Sequence, residues 1–365
     1  MKKDKIIKKI IIFTILTALS VAVAALAISC NNSEDPVNTE GSSASSGGSY
    51  IVVTPVLTDS SESTPGPSGG NTGSDIEPTL TGSFTPGEQS TSNPSPTEHT
   101  VSLQIDPNLL YSRNVLLKDI DTGDVLYSLF PDEKIYPASL TKIMTALLAA
   151  ELLPDDKDYT ITAEVMDLAD SYGASTSGFS RGETTDKNGI IAGILMASGA
   201  DCSFTAAIEI AGGEQGFVEL MNKKAQELGL VNTHFVTCTG LHNDDHYTTV
   251  SDLEKLTEYA IRNELFAYFF GLGTYAAKVV PAHQYTFNIV STVFSGLESF
   301  DLGSVEVKGG KTGYTRQAGL CLVTYAMYNG RRYILVTAGN DGNTKTEKYH
   351  FIDAQTIYGA LQKEV

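Results

Sequence analysis

Basic residues are scarce. The 365 residues carry 25 Lys+Arg against 43 Asp+Glu, a formal net charge of −18. So acidic a surface repels phosphate backbones, which argues against nucleic acid as a partner and against a polybasic membrane patch. Cysteine is scarcer still, with four residues at 30, 202, 238 and 321, and tryptophan is absent. Beyond Cys30 the cysteines are odd in number and lack framework spacing, so a disulfide scaffold is not indicated. Cys202, Cys238 and Cys321 read as small buried apolar residues. From 31 to 100 there is no Lys or Arg at all.

The amino end reads "MKKDKIIKKIIIFTILTALSVAVAALAISC": lysines, then uncharged and mostly apolar residues from Ile10 to Ser29, then Cys30. Residues 1–30 are therefore an export signal outside the fold. The ending "ALAISC" resembles a bacterial lipobox, in which the cysteine is lipidated after cleavage. An uncleaved signal anchor is the alternative, because about 20 apolar residues can span a bilayer; full release is the third. Each places the rest of the chain outside the cytoplasm, and the first two hold it to the cell membrane by its N-terminus. Residues 31–100 are mostly Ser, Thr, Gly, Pro, Asn and acids. Such a segment cannot bury enough apolar surface to offset its ordering entropy, so it is expected to be a disordered tether. Its typical reach as a coil is roughly 45 Å.

Residues 101–365 are long enough for one domain with a sizeable core. The block opens with strand-like runs, "NVLLKDI" and "DVLYSLF", joined by "DTGD". It closes with "GLCLVTYAMYNGRRYILVTAG", where Asn329-Gly330 between alternating apolar runs signals a hairpin. An amphipathic segment follows from about Tyr349 to Lys363. The middle is helix-rich, with "NGIIAGILMASGADCSFTAAIEIAG", "GFVELMNKKAQELGL" and "TTVSDLEKLTEYAIRN", the last with Ser251 and Glu254 as a capping box. The expected fold is α/β of the α+β kind: an antiparallel sheet built from both chain ends, with a helical region inserted between its strands. A cleft is expected where the chain leaves the sheet.

At that point stands "IYPASLTKIMTALLAAE", Ile135–Glu151. Leu140, Ile143, Met144, Leu147 and Leu148 recur at helical spacing as one buried stripe. Ser139 and Lys142 lie roughly 60° apart at its edge, where unpaired backbone N–H groups can stabilise a developing anion. Spacing alone is weak, since a solvated first turn would look the same. Two further motifs follow. "ASGAD" (Ala197–Asp201) alone would read as a helix kink or cap, and "GGKTGYT" (Gly309–Thr315) alone as a solvated edge strand. In this order the three motifs form the signature of active-site-serine penicillin-recognising enzymes.

The flanks narrow the choice. "YPASLTKIMTALLA", "SGAD", "NTHFVTCTGLHNDDHYTTVSDL" and "KTGYTRQAGLCLV" resemble serine-type D-alanyl-D-alanine carboxypeptidases, the low-molecular-mass penicillin-binding proteins, from about Asn114 to the C-terminus. The resemblance implies a β-lactamase/transpeptidase-like fold and a peptide hydrolase of cell-wall synthesis that needs no cofactor or metal. It implies a peptidoglycan stem pentapeptide ending in D-Ala-D-Ala as substrate and β-lactams as covalent inhibitors. Ser139 would attack the penultimate D-Ala, Lys142 would take its proton under repulsion from Lys311, and Ser198 would relay a proton to the leaving amine. Lys311 and Thr312, followed by Gly313, would hold the terminal carboxylate; the N–H groups of Ser139 and Tyr314 would form the oxyanion hole. Two departures stand out: Ala200 replaces the usual Asn, and the chain ends just past the catalytic block, where the family often adds a β-domain and an anchor.

Three rivals are weighed. A class A-like β-lactamase needs a deacylating carboxylate, usually in a Glu-x-x-Leu-Asn stretch, and none occurs between Ser198 and Lys311. A metallopeptidase built on His242 and His246 lacks the glutamate of the His-Glu-x-x-His motif. A non-catalytic peptidoglycan-binding protein would be an enzyme retired by the change at position 200.

Overall fold

The computed structural model describes residues 102–278 and 287–364; the export signal, Cys30 and the tether lie outside them. Strands β1 (Asn114–Asp119) and β2 (Val125–Leu129) come from the start of the block. Two-stranded pairs β3 (Tyr159–Thr160) with β4 (Thr184–Thr185), and β5 (Thr274–Ala276) with β6 (Asn288–Val290), lie in the insertion. β7 (Glu306–Thr315), β8 (Gly319–Tyr328) and β9 (Arg331–Asn340) close the chain. The main sheet runs β2-β1-β9-β8-β7 with every neighbouring pair antiparallel, so both chain ends build it as expected. Asn329 and Gly330 both take positive φ, 48° and 78°, the left-handed pair that a tight hairpin turn demands.

Strand periodicity divides the core in two. Val115, Leu117, Leu322, Tyr333 and Leu335 face the C-terminal helix, whose Phe351, Ala354, Ile357, Tyr358 and Leu361 cover them. Leu116, Val323, Ile334 and Val336 face the inserted helices. In chain order, helices α1 (Lys142–Leu152), α2 (Ala163–Ser171), α3 (Lys187–Leu195), α4 (Ala200–Ala211), α5 (Glu214–Glu227), α6 (Val250–Ala260), α7 (Glu264–Phe270) and α8 (Thr292–Leu297) fill the insertion, and α9 (Tyr349–Glu364) ends the fold.

Three local expectations change. α1 is not striped: Lys142 through Ala150 are all buried, because α3, α4 and α6 surround it. The run "NGIIAGILMASGADCSFTAAIEIAG" is two helices, broken between Leu195 and Ala200, where Ser198 takes φ +63°. The cap of α6 is Thr249, whose hydroxyl accepts the Asp252 N–H, rather than Ser251. Glu254 instead turns to Lys118 on β1, as an ion pair between sheet and insertion. Ser251 lies inside the first turn, because the helix starts at Val250, and so cannot be its N-cap.

Candidate active site

Ser139 does not start an α-helix. It sits in a 3₁₀ turn, Ala138–Thr141, and α1 follows at Lys142. Ala138 holds the left-handed region at φ +47°, which a residue with a Cβ adopts only under constraint. The tighter 3₁₀ winding nearly eclipses residues three apart, so Lys142 stands over Ser139 more squarely than on an α-helix. Its Nζ donates to Ser139 Oγ at 3.2 Å and to the Thr239 carbonyl at 2.7 Å. Burial pushes the Lys142 ammonium down to about 8. The neutral amine can then keep one N–H on Thr239 and aim its lone pair at the Ser139 hydroxyl.

Lys311 is wholly buried on edge strand β7, and its Nζ donates to Ser198 Oγ at 2.9 Å and to the Thr312 carbonyl at 2.8 Å. Its ammonium is held well below the usual lysine range, first by burial and then by repulsion from Lys142. The sequence reading placed that repulsion on Lys142, where desolvation instead dominates. Ser198 accepts from Lys311, so its own O–H is left to donate. Its bend is braced by Gly199, where a Cβ would stand 1.8 Å from Ser177 Oγ, and by Asp201, which accepts the Ser177 N–H and O–H at 3.0 and 2.9 Å.

Strand β7 runs against the nucleophile turn. A Cβ on Gly313 would lie 3.2 Å from the Ser139 nitrogen and 3.1 Å from the Pro137 carbonyl, so glycine lets strand and turn touch there. Thr312 Oγ1 shares a hydrogen bond with Thr292 Oγ1 at 2.7 Å. The result is a cleft of about 480 Å³, lined by Ser139, Ser198, Thr312, Gly313 and Tyr314 among others. Lys142 and Lys311 lie behind this lining. Ala200 is fully buried and gives its N–H to the Ser175 carbonyl, which sets Ser175 on the cleft wall.

Several contributors had no role in the sequence reading. Thr239 holds Lys142. Gly240 can have no Cβ, which would sit 1.8 Å from the Ala138 carbonyl. His246, weighed as a metal ligand, is buried with both ring nitrogens engaged. Nδ1 accepts the Val236 and Thr237 N–H groups at 2.9 and 3.2 Å, and Nε2 bonds Thr141 Oγ1 at 2.7 Å. Burial holds it down to about 4, so it stays neutral at ordinary pH and pins the loop that carries Thr239. His242 pairs with Asp244 and packs its ring on Tyr136. The "GLHNDDH" stretch was legible as a loop, but not as a loop folded back onto α1.

A serine with a buried lysine at its hydroxyl, a second serine–lysine pair behind it and a sheet edge alongside define a serine-nucleophile acyl-transfer site. Residues 102–342 match the profile of D-alanyl-D-alanine carboxypeptidases, and the chain belongs to this family, peptidase family S11. The D-alanyl-D-alanine carboxypeptidase DacF of Bacillus subtilis is 38% identical over 232 residues, covering 62% of this chain and 57% of that protein. DacC of Escherichia coli is 28% identical over 271 residues, 72% of this chain and 64% of that protein. The chain thus spans less than two thirds of the length of either. The crystal structure of the Streptomyces K15 DD-transpeptidase is similar with a TM-score of 0.61 at 25% identity, covering 69% of this chain and 97% of that one. A D-alanyl-D-alanine carboxypeptidase structure from Mycobacterium tuberculosis, 24% identical with a TM-score of 0.61, shares the fold. The fold is therefore β-lactamase/transpeptidase-like.

Proposed function

We propose that this chain is a serine-type D-Ala-D-Ala carboxypeptidase that removes the terminal D-Ala from peptidoglycan pentapeptide. The observation that carries the reading is the Lys142 Nζ to Ser139 Oγ contact, with an amine that burial has made able to accept a proton. Ser139 Oγ attacks the penultimate D-Ala carbonyl as its proton passes to Lys142. The developing oxyanion is met by the N–H groups of Ser139 and Tyr314. Ser198, held in place by Lys311, relays the proton taken up by Lys142 to the departing D-Ala nitrogen, so that the lysine is again neutral and the Ser198 hydroxyl is restored. Water then cleaves the acyl ester, which restores the Ser139 hydroxyl and frees the shortened peptide. A β-lactam would stop at the acyl stage. No carboxylate lines the cleft among the described residues, which disfavours a β-lactamase that deacylates through a glutamate.

Mass spectrometry of muropeptides before and after digestion, with labelled penicillin in parallel, tests this reading. Conversion of pentapeptides to tetrapeptides with covalent labelling is expected. Labelling without D-Ala release would favour the non-catalytic binder. Acylation should also follow the charge on Lys142. Below a pH of about 8 the ammonium cannot accept the serine proton, so kcat/KM is expected to rise with pH through about 8 and then level. A flat profile between pH 6 and 9 would remove Lys142 as the base.

The cellular setting rests on the N-terminal segment alone: an export signal, lipid attachment at Cys30 and an acidic tether would hold the enzyme outside the cytoplasm, on the membrane facing its wall substrate. Cys30→Ser is expected to leave a larger precursor that takes up no labelled palmitate. If the parent protein itself carries no lipid label and its mobility is unchanged by the substitution, the signal anchor is the better reading.

A further inference from the structure

Two walls of the cleft face the nucleophile. Strand β7 supplies one, through Thr312, Gly313 and Tyr314, and the insertion supplies the other, through Ser175, Ala197 and Ser198. A peptide laid along β7 is extended, and successive carbonyls of an extended chain point to opposite sides. When the reacting carbonyl turns to the N–H groups of Ser139 and Tyr314, the carbonyl one residue earlier therefore turns to the insertion wall. Covering that oxygen without a donor costs free energy.

Donors on that wall are few. Ala197 ends in a methyl group, and Ser198 spends its O–H on the leaving nitrogen in the reaction above. Ala200, the first residue of α4, holds a fully buried methyl. Ser175 differs from all three. It is exposed on the lining, and its hydroxyl makes no hydrogen bond among the described residues. Its backbone is nevertheless fixed on both sides. The Ser175 carbonyl accepts the Ala200 N–H at 2.7 Å, one of the donors left unpaired at the start of α4. Two residues on, Ser177 gives its N–H and O–H to Asp201. Just before, the Ala174 N–H returns to the Ala169 carbonyl at 3.0 Å, past Gly173 at φ +58°. A free hydroxyl on so anchored a backbone loses little entropy when it binds.

We propose that Ser175 is a specificity residue whose hydroxyl donates to the acylamide carbonyl one residue before the reacting carbonyl, so that the site selects substrates acylated through a peptide group. The inference rests on the acylation reading above and adds to it a donor that lies outside all three sequence motifs.

The test uses the purified protein and two thioesters with the same leaving group: an N-acyl-D-alanyl thioester, and an analogue in which two methylenes replace the acylamide group. Both can acylate Ser139, and only the first carries the carbonyl. Ser175→Ala is expected to lower kcat/KM for the first by about 5- to 20-fold and to change the second by less than about 2-fold. Ser175→Thr, which keeps a hydroxyl, should retain most of the preference. A preference unchanged in Ser175→Ala, or a loss equal for both substrates, would overturn the proposal. A parent protein inert to both thioesters would instead sink the acylation reading, and this inference with it.

Discussion

Ser139→Ala is expected to end covalent labelling by penicillin and to lower D-Ala release from pentapeptide by at least about 10⁴-fold. The size follows from the chemistry, because no acyl-enzyme forms without the hydroxyl. Neither Ser198, whose Oγ is tied to Lys311, nor Thr312, tied to Thr292, shares the contact with Lys142. The fold should survive, since only one oxygen on a short turn is removed while Leu140 on one side and Ala138 on the other keep the turn buried. An unchanged melting temperature with activity gone is the expected pair of results. Retained D-Ala release in Ser139→Ala would end the serine mechanism.

Lys142→Ala should come close behind, with kcat/KM down by at least about 10³-fold, because a serine hydroxyl is a poor nucleophile without a base. Here stability should move as well, and upward or little. Burying a group that is ammonium in water costs free energy, and the methyl group removes that cost at the expense of a small void. The sign of the pH dependence follows from the same shift. The unfolded chain keeps this proton up to the ordinary lysine value, while the folded protein releases it at about 8. The parent therefore gains stability from this group as pH rises through that window, and Lys142→Ala should lack that gain. A variant that loses catalysis and also unfolds at neutral pH would show that Lys142 serves structure more than chemistry.

The candidate site was readable in the sequence because its motifs are short local spacings. Ser139 with Lys142, Ser198 with Gly199, and Lys311-Thr312-Gly313 each lie within one turn or one strand segment, and strand alternation with Asn329-Gly330 fixed how the chain ends pair. What stayed illegible depended on segments meeting from far along the chain. The 3₁₀ turn that holds Ser139 is approached by Gly240 and Gly313 from two distant segments, where a Cβ would strike its backbone. The acidity of Lys142 follows from how completely α1 is surrounded, and spacing carries no record of that. The metallopeptidase reading of His246 fell on its missing glutamate, but the structural role of the ring could not be read, because its bonds to Val236, Thr237 and Thr141 require a loop to fold back on the helix. By itself, then, the sequence determined the family, the motifs and the elements that carry them, because motif and periodicity act locally. Tertiary structure decided protonation, because that depends on how completely elements distant in the chain bury a side chain.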